Sequence, residues 1–245
     1  MLQSNTAQQQ EAAVPRSAAL AALDRFPGSL ALKVYGSLKL AILSLDFQPG
    51  QILRKAEICA ELGVSRSPVA EAVARLAAEA LVDVIPQAGT FVARFSMVEI
   101  REGAFLREAL ELAAVEQVAC TITDDQLLQL RRNLHLQAVL LADGDTAGFY
   151  QTDALMHELI LSFTGFRRLG HLAETAWVHV NRARQLILPQ PGRVQATLAE
   201  HQAILTALEA RDPAKARIAT QTHLRQLLTL LEPLATQRPD LFSRG

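Results

Sequence analysis

The chain has 245 residues, half of them apolar and a fifth charged, with a formal net charge of -1 at pH 7, which is enough for one large core or two smaller ones. The near-neutral balance excludes a protein that is basic throughout, so any contact with nucleic acid has to come from a local patch. No run reaches the roughly 18 apolar residues of a membrane span, and the two cysteines, Cys59 and Cys120, stand far apart, which suits buried thiols in a reducing compartment better than a disulfide framework.

The first 28 residues are rich in Gln, Ala and Ser and lack the basic start and compact apolar segment of a secretory signal. Met1 to Gly28 therefore reads as a mostly disordered arm with a short helix around Ser17 to Leu23, and the location as cytoplasmic by default. Breakers then mark out three helices: Leu30 to Leu45 stops before Pro49-Gly50, Lys55 to Leu62 stops at Gly63, and a third runs from Ser65 to about Ala80. Ser65 is placed as an N-cap, and Pro68 falls in the first turn, where its missing N–H costs nothing. Val82, Val84 and Ile85, the turn Pro86-Gln87-Ala88-Gly89, and Thr90, Phe91 and Val92 predict a β-hairpin. This is the element order of a winged helix-turn-helix, whose third helix enters DNA.

Beyond Phe95, amphipathic patterns separated by short polar breaks predict helices at roughly 97–121, 124–142, 146–164, 167–188, 194–211 and 213–236. The expected fold is mainly α: an arm over 1–28, a winged helix-turn-helix over 29–95, an all-helical bundle of six helices, or seven, over 96–237, and a tail over 238–245.

Val34-Tyr35, Leu38, Ala41-Ile42, Pro49-Gly50-Gln51-Ile52-Leu53, Leu62-Gly63-Val64-Ser65-Arg66-Ser67-Pro68-Val69, Glu71-Ala72, Arg75-Leu76, Glu79, Leu81-Val82 and Gly89-Thr90-Phe91-Val92 follow one another through the winged domain, which thereby resembles the GntR family of bacterial regulators. A recognition helix meets the major groove with its first turn, so Ser65, Arg66 and Ser67 are the residues presented to double-stranded DNA. Arg66 can fork onto guanine O6 and N7. Arg54 and Lys55 suit phosphate contacts, Arg75 lies further along the recognition helix, and Gly89 lets the wing approach the minor groove. One residue departs from the family: Ala70 stands where an arginine is usual, so base preference at that position is altered. Ala80 stands where glycine is common. Acidic and basic residues nearly balance between Leu30 and Phe95, which predicts modest, strongly salt-dependent non-specific affinity.

All six histidines lie beyond residue 134. Asp153 and His157 are four apart and share a helix face, while His201 and His223 belong to two later helices. One carboxylate and three imidazoles from three helices could converge in a bundle core and hold a metal with open positions. The stretches Asp153-Ala-Leu-Met-His157-Glu-Leu-Ile, Glu200-His201-Gln-Ala-Ile204, Ala207-Leu208, Arg211-Asp212-Pro213, Ala216 and Thr222-His223-Leu224 resemble the FadR-type C-terminal ligand-binding domain, FCD. That resemblance implies that Asp153, His157, His201 and His223 bind a divalent metal, and a six-helix count places the chain nearer the VanR-like subgroup. Zn²⁺ is the physical default for three histidines and an aspartate, with Ni²⁺ and Mn²⁺ open.

A metal with open positions suits a carboxylate effector. Arg107 matches a position near the family's ligand pocket and could pair with that carboxylate or form a surface ion pair with Glu111; Trp177, Asn181 and Arg182 could line the same cavity. His135, His171 and His179 are left as structural or exposed. The expected protein is a non-enzymatic, homodimeric regulator on a palindromic operator. The alternatives are a metal-dependent hydrolase, for which Glu158 and Glu200 are the obvious but poorly directed bases, and a regulator for which the metal is itself the signal.

Overall fold

The computed structural model describes residues 20–243, apart from the side chains of His171 and Glu174. The expected helix at Ser17 to Leu23 lies largely outside that range, and so does the expectation for the His171 side chain. Within it, a single 3₁₀ turn at Leu23–Arg25 leads to α1 (Leu30–Leu43), α2 (Lys55–Leu62), α3 (Arg66–Ala78), β1 (Val82–Ile85) and β2 (Gly89–Val92). The second half comprises α4 (Met97–Thr121), α5 (Asp124–Ala142), α6 (Thr146–Phe163), α7 (Arg167–Ala176), α8 (Val178–Ile187), α9 (Arg193–Glu209) and α10 (Pro213–Gln237). None of these helices is long and apolar enough to cross a membrane.

The winged domain forms because its apolar residues recur at helical spacing: Ala31, Val34, Leu38, Ala41 and Ile42 are buried along one face of α1 and meet Val69, Ala72, Val73 and Leu76 of α3. The Ser29 hydroxyl caps α1 by accepting the Leu32 N–H at 3.3 Å. Gly63 ends α2 at φ 63°, a conformation that glycine alone adopts freely. β1 and β2 pair antiparallel, Val82 with Val92 and Ile85 with Gly89.

The expectation of a mostly disordered arm lies largely outside the described residues, but residues 20–28 are packed. Leu20 and Leu23 pack against the winged core, the Ser37 hydroxyl donates to the Ala21 carbonyl at 2.8 Å, and the Phe26 ring occupies the space that Gly36 leaves open. At the other end, Phe95 N–H donates to Leu241 and Ser243 N–H to Phe95, each at 2.9 Å. Residues 241–243 thus run along the linker between domains as a parallel bridge, with the Phe95 and Phe242 rings 5.6 Å apart.

Two expectations are corrected here. The segment 167–188 is two helices, because Trp177 leaves helical geometry at φ -101° and ψ 3°; the bundle therefore has seven helices, the larger of the two expected counts. Cys120 is exposed and Cys59 only half-buried, since both sit at the margins of their helix faces. Ala80 has φ 54°, which explains why glycine suits that position. A β-carbon there costs about 1–2 kcal/mol, partly offset by the greater freedom of an unfolded glycine. Ala80→Gly is therefore expected to stabilise the protein by roughly 0.5–1 kcal/mol, read as a higher midpoint in urea; a lower midpoint would show that the strain is relieved in another way.

Candidate metal centre and nucleic-acid interface

The DNA-facing candidates are exposed apart from the half-buried Gly89, but Arg75, nine residues after Arg66 on α3, is turned about 180° away from it. Ser65, Arg66 and Ser67 start α3, Arg54 and Lys55 start α2, and all five are exposed. Ser65 occupies the N-cap position, but its hydroxyl makes no cap hydrogen bond. Arg54 is 3.3 Å from Glu57 and Arg75 is 3.5 Å from Glu71, exposed pairs of small energetic weight. Arg66 and Lys55 have no acidic partner among the described residues. Ala70 lies one turn beyond Arg66 on the same face of α3, and is exposed. Gly89 closes the wing at φ 136°, where a side chain is strained.

Asp153 and His157 from α6, His201 from α9 and His223 from α10 do converge, their ligand atoms all lying within 4.8 Å of one another. His223 Nε2 is 3.2 Å from His157 Nε2 and 3.3 Å from His201 Nε2, and His201 Nε2 is 3.4 Å from Asp153 Oδ1. All four residues are buried.

The outer nitrogens explain why the inner ones face each other. His157 Nδ1 lies 2.6 Å from Glu111 Oε2, His201 Nδ1 2.9 Å from Gln137 Oε1, and His223 Nδ1 2.7 Å from Glu200 Oε2. Each acceptor calls for a proton on Nδ1, leaving the Nε2 lone pair pointed inward. Burial, then the neighbouring rings and arginines, pushes His201 well below the usual imidazole range, and His223 likewise, so the neutral ligand form is favoured. Asp153 Oδ1 is buried and has no hydrogen-bond partner among the described residues. Three lone pairs and an orphaned carboxylate oxygen at one point repel unless a cation lies between them. Bonds of about 2.0–2.1 Å to a tetrahedral ion put its ligand atoms roughly 3.3 Å apart, close to the three shortest spacings given above. The residues fit a divalent metal.

Around this centre lie residues that sequence reasoning missed or misplaced. Arg184 donates to Asp153 Oδ2. Gln137, which receives His201, in turn donates to Asn133 at 2.7 Å. Glu200 does not point away from the ligands: it receives His223 and is gripped by Arg193 at 2.7 and 2.6 Å, because α9 and α10 pack closely enough for the next residue on the helix to reach across. Arg107 is neither on the surface nor free for a ligand alone; it is buried, donates to Glu111 at 2.6 Å and lies 5.1 Å over the Trp177 ring. Burial raises the Glu111 carboxyl, but Arg107 and His157 outweigh it and hold the group well below the carboxylate range. Glu111→Ala would strand the Arg107 charge and the His157 N–H. It is expected to cost about 3–5 kcal/mol in denaturant unfolding; a loss below about 1 kcal/mol would mean that water reaches the pair.

The effector candidates separate. Arg107 borders a small cavity of about 20 Å³ beside His223, together with Arg184 and Arg193. Trp177 and Asn181 instead line a cavity of about 600 Å³ that none of the four candidate ligands borders. Arg182 belongs to neither: its guanidinium lies 4.5 Å over the Phe95 ring at the domain linker. The reason is helical geometry, since residues 182 and 184 point about 200° apart on α8. Burial pulls Arg182 down to about 10. His135 is exposed, and His179 Nε2 lies 3.1 Å from the carbonyl of Glu79, just past the end of α3.

Residues 30–92 match the bacterial regulatory proteins of the gntR family, and residues 102–226 match the FCD domain. An HTH-type transcriptional regulator in an unstable DNA locus of Streptomyces ambofaciens is 32% identical over 86% of this chain and 88% of its own. The HTH-type transcriptional repressor RspR of Escherichia coli K12 is 29% identical over 86% of this chain and 92% of its own. The structure of E. coli McbR/YncC superposes with a TM-score of 0.72 at 23% identity, covering 85% of this chain and 99% of that one, and so shares the fold.

Proposed function

The chain belongs to the GntR family of transcriptional regulators and carries an FCD domain, and from that premise we propose that a small carboxylate, bound at a divalent metal held by Asp153, His157, His201 and His223, sets its affinity for a palindromic operator. The observation that carries this reading is the inward convergence of three imidazole lone pairs with the orphaned Asp153 oxygen. When bound, the ion supplies open coordination positions to a carboxylate. The surrounding side chains supply the charge: Asp153, Glu111 and Glu200 balance Arg107, Arg184 and Arg193, three against three. A dication is then left without a counter-charge, which favours an anionic ligand.

The cavity beside His223, at about 20 Å³, holds about one water. A carboxylate larger than that displaces its walls, among them Ile187 and Leu188 at the end of α8. The start of α8 is set in the other domain: Val178 packs in the winged core and His179 meets the Glu79 carbonyl. Movement of α8 would carry a signal from metal to recognition helix. Val98 and Phe105, seven residues apart on α4, and Ile218 on α10 expose apolar side chains suited to a homodimer that places two recognition helices about one DNA turn apart. Glu111 and Glu200, the carboxylates beside the ligands, are committed to the outer imidazole nitrogens, which favours a sensor over a hydrolase.

Calorimetric titration tests this. One Zn²⁺ per chain is expected to bind, and acetate or citrate to bind the metal-loaded protein but not the chelated one. If no acid in a panel binds while operator affinity follows the metal alone, the metal is the signal and the effector reading fails.

A further inference from the structure

The large cavity between the domains is separate from the metal centre, and the geometry points to a second ligand site there, for a small carboxylic acid with an aromatic or branched apolar body. Its volume of about 600 Å³ is in the usual range for small-molecule sites. Leu161, Phe166 and Trp177 form apolar walls. Three features favour an anionic, oxygen-bearing end. The indole N–H of Trp177, a residue that is 5% exposed, is enclosed in the cavity wall with no acceptor among the described residues; a buried unpaired donor costs about 1–3 kcal/mol, which a ligand oxygen reaching it through a small shift of the wall would recover. α7 begins at the cavity with Phe166 as its N-cap, which offers no side-chain cap, so its first N–H groups favour a carboxylate. Arg167, the first residue of that helix, lines the cavity and has no acidic partner among the described residues. Glu158, also on the wall, is engaged by a partner of its own.

The site reaches the DNA-binding half directly. Lys39 of α1 lines the same cavity, and its ammonium is 2.7 Å from Glu79 and 2.8 Å from the Tyr35 hydroxyl, at the end of the recognition helix. A ligand there would touch the residue that holds Glu79, giving a second input that does not pass through the metal.

Trp177 is the sole tryptophan, so its fluorescence reports on this cavity. Phenylacetate, indole-3-acetate and 8-anilinonaphthalene-1-sulfonate would be titrated into the metal-loaded full chain, the last read by its own emission. At least one is expected to bind saturably, with about tenfold weaker affinity in the exposed-site variant Arg167→Gln, and within twofold of wild type in His201→Ala and in chelated wild type. Binding that is lost with His201 or with the metal, yet unchanged by Arg167→Gln, would place the acid at the metal centre and overturn the second site. Absence of saturable binding by all three probes would overturn it as well, while leaving acetate or citrate binding at the metal to be judged independently.

Discussion

Arg66→Ala is expected to leave the protein folded and to weaken operator binding by roughly thirtyfold or more. Arg66 is exposed at the first turn of α3, buries nothing and, among the described residues, pairs with no acid. Its loss therefore costs little stability. A fork onto guanine is worth about 1–3 kcal/mol in discrimination; two copies in a dimer double that, and about 2 kcal/mol corresponds to roughly thirtyfold. Competition with unrelated DNA separates base reading from phosphate contact. If Arg66 touches only phosphate, the loss is uniform across sequences and the salt slope falls by about one per copy. Ala70→Arg, which restores a second cation one turn along the same face, is expected to strengthen binding and shift base preference beside the Arg66 contact.

His201→Ala is expected to remove metal binding and, with it, the response to carboxylates, while operator binding persists. His201 is fully buried between Gln137, His223 and Asp153, so the variant loses a ligand and strands the Gln137 oxygen. A coupling of the usual size, about 1–3 kcal/mol or 5–150-fold in operator affinity, should vanish. Arg184→Met probes the link rather than the ligand set, because Arg184 joins α8 to Asp153 Oδ2. It should retain most of the metal affinity yet lose most of the response. A full response in Arg184→Met would mean that α8 does not carry the signal.

Much of this was legible in the sequence because it rests on local rules. Gly63, the Pro86 to Gly89 turn and Asp212-Pro213 punctuate the chain where the structure does, and the spacing of Asp153 and His157 on one helix face needed only the helical repeat. The groups that orient the ligands were not legible. Glu111, Gln137 and Glu200 reach the histidines from α4, α5 and α9, and pairings between distant helices leave no periodic trace. Adjacency to His201 on one isolated helix turns Glu200 away from the ligand face, but α10, packed against α9, brings His223 to it. The break at Trp177 carries neither glycine nor proline, so nothing local announces that 167–188 is two helices. Arg182 and Arg184 lie two residues apart on α8, and only the direction of that helix sends Arg182, the residue expected at the effector cavity, to the linker and Arg184 to the candidate metal centre.

On the proposed function, ligand state at the candidate metal centre sets DNA affinity. Fluorescence anisotropy of metal-loaded protein on the DNA upstream of its own gene, with and without chelator and a saturating carboxylate, tests it most directly. Specific binding that is lost in Arg66→Ala, shifts at least fivefold between ligand states, and does not shift in His201→Ala is the predicted result. An operator affinity that is the same in every metal and ligand state, with Arg66-dependent binding intact, would contradict it.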